Sequence, residues 1–189
     1  MQHAKTLSAG EQARLLAVIA STRHVERNRV IVLLSVKAGL RANEIAQLQW
    51  SMVLTASGDI ADSITIPGSI AKYGRGRRIP MHGALAKALA ALAKREDRVG
   101  PVVKSERKTA MSGKTIVNWF ACQYRRAELQ GCSSHSGRRT FVTQAARLLP
   151  KVGGSLRDVQ QLAGHRSIQT TQLYIDGDTE AQRQLVMAM

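Results

Sequence analysis

The sequence has few cysteines and no long hydrophobic run, and each shortage excludes a class of protein. Cys122 and Cys132 are its two cysteines and form no CxxC pair, so we expect reduced thiols rather than a disulfide scaffold. The five histidines are not spaced as zinc-ligand pairs, so no metal site is predicted. No stretch approaches the ~18 apolar residues of a membrane span, and residues 1–5 lack the apolar run of a signal peptide. We therefore expect a cytoplasmic, metal-free protein with no membrane partner.

Aromatic and acidic residues are also scarce. With 4% aromatic residues, the core must consist mainly of Leu, Val, Ile and Ala, and a chain of 189 residues fits one domain. Lys and Arg number 28 against 13 Asp and Glu, which gives a formal charge of +15. Such an excess favours a polyanionic partner. Ribosomal proteins, membrane-surface proteins and nucleic-acid enzymes share this property, so charge alone does not name a function.

The hydrophobic pattern predicts a mainly α-helical domain with one small antiparallel β-sheet, an α+β fold. Ser8 and Glu11 have capping-box spacing and open the first helix, and Gly39 and Gly164 stand where helices would end. Strands are predicted at 62–67 and 77–81 around a turn at 73–76, with a third near 52–54. Further helices are predicted at 26–38, 42–48, 84–94, 113–126, 135–148 (capped by Ser134), 156–162 and 167–174.

Polar residues with catalytic potential lie on the last predicted helices. His135 and Arg138 are three residues apart, so their side chains emerge on one helix face. His165 directly follows Gly164, and Tyr174 lies on the next short helix. Each has an ordinary alternative when taken alone: a solvated helix face, a capping histidine and a half-buried core tyrosine.

A further arginine stands at a predicted helix start upstream. Arg41 opens a short helix, and Glu44 follows one turn later. An arginine at the positive end of a helix is electrostatically disfavoured unless an acidic partner or a bound phosphate compensates it. The alternative is a surface ion pair, which contributes about 0–1 kcal/mol.

Together these segments resemble the signature boxes of the tyrosine recombinase family, also called phage integrases. The first box resembles residues 38–45 (AGLRANEI), and the second resembles residues 135–141 (HSGRRTF). The last and most specific resembles residues 162–171 (LAGHRSIQTT), followed by Tyr174. Gly137 stands where the family more usually has leucine and Arg139 where it has histidine, but neither is a predicted catalytic position. The resemblance implies the fold of a tyrosine recombinase catalytic domain.

The resemblance also implies a set of catalytic roles. Tyr174 would attack a DNA phosphate and form a 3′-phosphotyrosyl bond, and Arg41 and Arg138 would hold the non-bridging oxygens. His165 would donate a further hydrogen bond to the phosphate. His135 would act as general base, because an imidazole exchanges protons near neutral pH.

The leaving group and the DNA backbone complete the implied site. Lys72, in the β-hairpin, would protonate the leaving 5′-oxygen, while Glu44 would orient Arg41 or His135. The remaining basic residues of the hairpin and second box are expected to touch DNA: Arg75, Arg77, Arg78 and Arg139. The family's reaction needs no ATP and no cofactor, and positive side chains replace Mg²⁺ at the transition state.

The resemblance predicts residues 1–178 as the catalytic domain, with 179–189 as an apolar C-terminal tail. The tail would pack on its own domain or, in trans, on a neighbouring protomer. No N-terminal core-binding domain is expected, so the chain would be a fragment or a short member resembling the fimbrial-switch invertases. Fewer phosphate contacts mean weaker DNA binding at physiological salt. We therefore expect a homo-oligomer, from dimer to tetramer, on double-stranded DNA, with accessory DNA-binding proteins as further candidates.

The predicted function is site-specific DNA recombination, with integration, excision or inversion as its outcome. One alternative is a type IB topoisomerase-like enzyme, which would relax a supercoiled plasmid lacking any recombination site. The other is a catalytically idle DNA-binding accessory protein of the same fold. The presence of every expected catalytic residue type argues against the idle protein.

Overall fold

The computed structural model describes residues 4–174 together with Val186, Met187 and Met189. Over these residues the chain is mainly helical with one two-stranded antiparallel sheet, as predicted. Most of the predicted C-terminal tail lies outside the described residues. The helices and strands are α1 (Ala9–Ala20), α2 (Val25–Ala38), α3 (Ala42–Gln47), β1 (Ser63–Ile66), β2 (Arg77–Pro80), α4 (Gly83–Ala93), α5 (Gly113–Arg126), α6 (Ser136–Val152), α7 (Leu156–Ala163) and α8 (Ile168–Gln172).

Local sequence signals set several helix ends. The capping box at α1 is present, because the Glu11 amide donates to the Ser8 hydroxyl at 3.2 Å and the Ser8 amide donates to the Glu11 carboxylate at 2.8 Å. Gly39 ends α2 with φ +63°, and Gly164 ends α7 with φ +62°. Both glycines adopt the left-handed conformation that side chains disfavour.

The sheet contains two strands rather than the predicted three. β1 and β2 pair with Ser63 opposite Pro80 and Ile66 opposite Arg77. The prediction of a third strand near 52–54 is wrong for the part of the chain described: residues 50–52 form a 3₁₀ turn, and residue 54 makes a single isolated bridge. The Thr55 amide donates to the Asp59 carbonyl at 2.8 Å. The chain therefore reverses too soon to extend a strand.

The core is centred on α2, in which nine of 14 residues are buried. Helices α1, α3, α4 and α6 pack against α2, and α5 packs on α3 and α1. At the contact between α6 and α2, a Cβ atom on Gly137 would clash with Ser35 and come within 3.0 Å of the Val36 side chain. The larger leucine more usual in the family would not fit here. None of the helices within the described residues is both long and apolar enough to cross a membrane.

Candidate active site

Arg41 and Glu44 are joined at the start of α3. The Arg41 backbone amide donates to Glu44 Oε2 at 2.9 Å, and its Nη1 donates to Oε1 at 3.0 Å. Glu44 is buried, with 1% of its side chain exposed. Burial alone would raise the pKa of Glu44, but the hydrogen bonds and charges of Arg77 and Arg41 hold it below its usual value. Glu44 is thus hydrogen-bonded to Arg41, and its role in orienting Arg41 or His135 stays a prediction.

Arg77 does not occupy the exposed position expected of a DNA contact. Only 6% of its side chain is exposed, and its two terminal nitrogens donate to the two Glu44 oxygens at 2.9 and 2.8 Å. Its Nε donates to the Leu162 carbonyl at 3.0 Å. The prediction of a phosphate contact for Arg77 is therefore corrected to a buried ion pair. Arg75 and Arg78, predicted alongside it, are exposed.

Arg138 is a buried cation whose hydrogen bonds go to neutral groups. Its Nη1 donates to the Gly39 carbonyl and its Nη2 to the Ala163 carbonyl, both at 2.6 Å. Burial and the nearby charge of Arg41 lower the pKa of Arg138 to about 9. The guanidinium remains positive at pH 7.

The C-terminal end of α7 is the point where the three arginines meet. The last carbonyls of a helix have no partner within it and carry partial negative charge. Three consecutive carbonyls here accept from three distant arginines: Leu162 from Arg77 at 3.0 Å, Ala163 from Arg138 at 2.6 Å, and Gly164 from Arg41 at 3.4 Å.

His165 follows these carbonyls and is itself buried. Its Nδ1 lies 2.9 Å from the Thr171 hydroxyl. Burial, and then the positive charges of Arg138, Arg41 and Arg77, lower the pKa of His165 to about 4. The ring is therefore neutral at pH 7. When the Thr171 hydroxyl donates to Nδ1, the ring proton lies on Nε2 and is available to a ligand.

Tyr174 stacks on this histidine. The two rings are 5.4 Å apart between centroids and inclined by 20°. The guanidinium carbon of Arg139 lies 5.5 Å from the centroid of the Tyr174 ring, in cation–π geometry. The half-buried ring also packs against the small apolar cluster around Val142 and Val159. The structure thus brings Arg41, Arg138, His165 and Tyr174 into one neighbourhood.

Two predicted catalytic residues lie at the surface instead. His135 is exposed as the N-cap of α6, which begins at Ser136 with no side-chain cap from Ser134, contrary to expectation. Lys72 is exposed on the turn between the strands, its Nζ 5.0 Å from the Tyr73 ring centroid. Within residues 4–174, neither side chain hydrogen-bonds to the buried arginines.

The charges in the cluster do not balance. Arg41, Arg77 and Arg138 provide three positive charges, Glu44 provides one negative charge, and His165 is neutral. Two positive charges remain uncompensated among these grouped side chains, and Arg139 adds a further cation at the Tyr174 ring. Preorganised cations of this kind stabilise an anion that gains charge during a reaction, such as a phosphate passing through a pentacoordinate transition state.

The fold is that of a tyrosine recombinase catalytic domain. The model of the Phage integrase family matches residues 5–181, and the chain belongs to that family. It is 31% identical over 173 residues to tyrosine recombinase XerA of Thermococcus kodakarensis, covering 90% of this chain and 57% of that protein. It is 30% identical over 173 residues to tyrosine recombinase XerC of Xanthomonas campestris pv. campestris, covering 90% and 50%.

Solved structures agree on the fold. The crystal structure of XerA recombinase matches with a TM-score of 0.75 at 24% identity, covering 99% of this chain and 66% of that one. XerH recombinase bound to a palindromic difH substrate, in a post-cleavage complex, matches with a TM-score of 0.72 at 21% identity, covering 98% and 53%. The chain therefore spans between half and two thirds of these matched proteins.

Proposed function

We propose that residues 1–178 form the catalytic domain of a site-specific DNA recombinase that works through a 3′-phosphotyrosyl intermediate. The observation that carries this proposal is the buried cluster with two unbalanced positive charges beside His165 and Tyr174. A scissile phosphodiester supplies one negative charge, and its pentacoordinate transition state supplies a second. The cluster is thus better matched to the transition state than to the ground state, which is the condition for catalysis.

Three groups bind the phosphate in this proposal. Arg41 and Arg138 donate to the non-bridging oxygens, exchanging part of their hydrogen bonding to carbonyls for charge-assisted bonds. His165 donates through Nε2, while Thr171 fixes the ring. Because the histidine is neutral at pH 7, it contributes a directed donor rather than a further positive charge.

The covalent step then proceeds at Tyr174. Its hydroxyl oxygen attacks phosphorus and its proton passes to His135, while the bond to the 5′-oxygen breaks and Lys72 protonates that oxygen. Both helpers lie at the surface, where a bound duplex can reach them. Religation reverses the step: the 5′-hydroxyl attacks phosphorus and tyrosine leaves. The bond energy is retained in the intermediate, so no ATP is needed.

The partners follow from this chemistry. The substrate is double-stranded DNA, and we propose that the protein works in the cytoplasm, as expected for a DNA-acting protein of a cell without a nucleus. Exchange of strands needs at least two active sites, so we propose a homo-oligomer, from dimer to tetramer, with residues 179–189 packing on a neighbour. A solved structure of the same fold, a lambda integrase dimer bound to a COC′ core site, matches with a TM-score of 0.69 at 20% identity and supports this assembly. Accessory DNA-binding proteins would add phosphate contacts.

The test is covalent capture on DNA. The full chain is incubated with a pool of nicked duplexes of randomised sequence, and adducts are separated on a denaturing gel and sequenced. We expect an adduct that is lost completely in Tyr174→Phe and kept in Tyr73→Phe, an exposed tyrosine on the Lys72 turn. No adduct anywhere in the pool would overturn the proposal. Relaxation of a supercoiled plasmid lacking the enriched site would support the topoisomerase alternative instead.

A further inference from the structure

We propose that Arg77 is a positioning residue: it ties Glu44 to the end of α7 and so holds Arg41, Arg138 and His165 in one cluster. The effect of Arg77 on DNA cleavage rests on the proposed function. The arrangement itself can be tested without DNA.

The contacts of Arg77 join three elements that are far apart in the chain. It lies on β2, binds both carboxylate oxygens of Glu44 on α3, and donates Nε to the carbonyl of Leu162 on α7. All three nitrogens of the guanidinium are therefore used. With 6% of the side chain exposed, a DNA phosphate has little access to it. This geometry suits the planar fork of arginine and cannot be reproduced by lysine.

Glu44 depends on Arg77. A carboxylate that is 1% exposed is costly to bury as an anion unless its oxygens are fully paired. Arg41 alone supplies a backbone amide and one Nη1 bond. Without Arg77, Glu44 would take up a proton or turn toward water. Either change would release the Arg41 guanidinium that Glu44 orients.

The end of α7 depends on it as well. Gly164 packs directly on the guanidinium, and a Cβ atom there would lie 3.0 Å from Arg77 Nη1. The bond to Leu162 fixes the turn whose next carbonyls receive Arg138 and Arg41. His165 is the residue that immediately follows. One side chain thus sets the position of three proposed phosphate ligands.

The test uses Arg77→Met, Arg77→Lys and the double variant Arg77→Met/Glu44→Gln, with Arg107→Met, an exposed arginine outside the site, as the control. Each full-length variant is examined by urea unfolding, by NMR titration of its histidines and by single-turnover cleavage of the enriched nicked duplex at saturating DNA. His165→Gln assigns the His165 signal.

We expect Arg77→Met to slow cleavage about 100-fold, as for a misplacement of about 1 Å, with DNA affinity unchanged within about twofold. The pKa of His165 should rise from about 4, because a positive neighbour is lost and water gains access. Arg77→Lys keeps the charge but should remain slow and should also raise the pKa of His165, and Arg107→Met should behave as wild type. The double variant removes both buried charges, so stability should recover while cleavage stays slow.

Three results would overturn the positioning role. Cleavage that recovers together with stability in the double variant would make Arg77 a structural residue only. A weaker affinity with a salt slope reduced by about one, at an unchanged saturated rate, would make it a phosphate contact. An unchanged His165 titration in Arg77→Lys, which keeps the positive charge but not the guanidinium fork, would show that the cluster holds without Arg77. If wild type forms no adduct, the proposed function fails, while the titration still decides this inference.

Discussion

The two hydrophobic clusters of the molecule differ in size and in what holds them together. Among the described residues, the main core contains 32 buried apolar side chains, contributed chiefly by α1 to α5 and the sheet. The second contains three, Val142 on α6 and Val159 and Ala163 on α7, beside the segments just beyond α7 and α8 that carry His165 and Tyr174. At roughly 1.5–3 kcal/mol per buried large side chain, the hydrophobic effect contributes far less to the second cluster.

Hydrogen bonds from arginines compensate in the second cluster. The end of α7 is anchored by three guanidinium groups in addition to the apolar contacts of Leu162 and Ala163. An apolar side chain cannot donate a hydrogen bond to an incoming phosphate. A guanidinium bonded to a carbonyl can, because it exchanges that bond for a stronger one to an anion. In the proposed DNA-cleaving part, the bonds of Arg41 and Arg138 are thus ones that a DNA phosphate could replace, while those of Arg77 remain in place.

The largest expected effect comes from Lys72, which tests this comparison between the two clusters. Lys72 lies on the turn between the strands of the main core region, but it is proposed to act at the site beside the second cluster. Lys72→Ala should slow cleavage about 10²–10⁴-fold, since the 5′-oxygen would leave without an acid. A duplex with sulfur in place of that bridging oxygen should restore the rate, because a thiolate leaves unprotonated.

Arg75→Ala, an exposed cation on the same turn, is the matched control and should keep most of its rate on both duplexes. A Lys72→Ala defect that persists with the sulfur duplex would remove Lys72 from the role of acid and reassign it to DNA binding.

Core truncations should show different stabilities for the two regions. Leu34→Ala, in the main core, should lower the global free energy of unfolding by about 2–5 kcal/mol. Val159→Ala should lower it less and mainly speed amide exchange in α7 and α8, because that region opens locally. Urea unfolding with hydrogen-exchange mass spectrometry measures both, and the exposed Val117→Ala is the control. Uniform exchange changes throughout the chain in Val159→Ala would mean a single cooperative unit.

Substitution of Arg139 should have the smallest effect on cleavage, and it distinguishes a contact with the Tyr174 ring from a contact with DNA. If the cation–π contact with Tyr174 is its main interaction, worth about 0.5–1 kcal/mol, Arg139→Ala should slow cleavage about 2–5-fold at saturating DNA. The salt dependence of binding should then be unchanged. The sequence predicted a DNA contact here, and that role would instead reduce the salt slope by about one. Arg139→His introduces the family's more usual residue and keeps an aromatic partner for Tyr174.

Much of the fold and the identity of the central cluster could be predicted from sequence. Capping residues and left-handed glycines act locally, so Ser8, Gly39 and Gly164 set helix ends where expected. The spacing of Arg41 and Glu44 within one helical turn also determines their contact. The third strand was predicted wrongly, because alternation over three residues cannot reveal the turn that closes at Asp59.

The role of Arg77 was missed, although a signal for it was present. It lies among basic hairpin residues, and charge composition suggests a solvated face. Side chains alternate across a strand, however, so Arg77 shares the face of β2 with Ile79, which is 1% exposed. This alternation along β2 predicts that the Arg77 side chain lies on the buried face of the strand. What sequence could not supply was its partner, since Glu44 is 33 residues away.

The bonds at the end of α7 also constrain when the protein can become reactive during its synthesis. Arg41 and Gly164 are 123 residues apart, and Arg77 and Leu162 are 85 apart. At about 5–20 residues per second, a ribosome needs about 6–25 s to pass from Arg41 to Gly164. The main core lies almost entirely in the part made first and can collapse meanwhile. The proposed active site cannot assemble until the segment from the end of α7 to Tyr174 has been synthesised. A nascent or prematurely terminated chain would therefore be folded in large part but unable to cleave DNA.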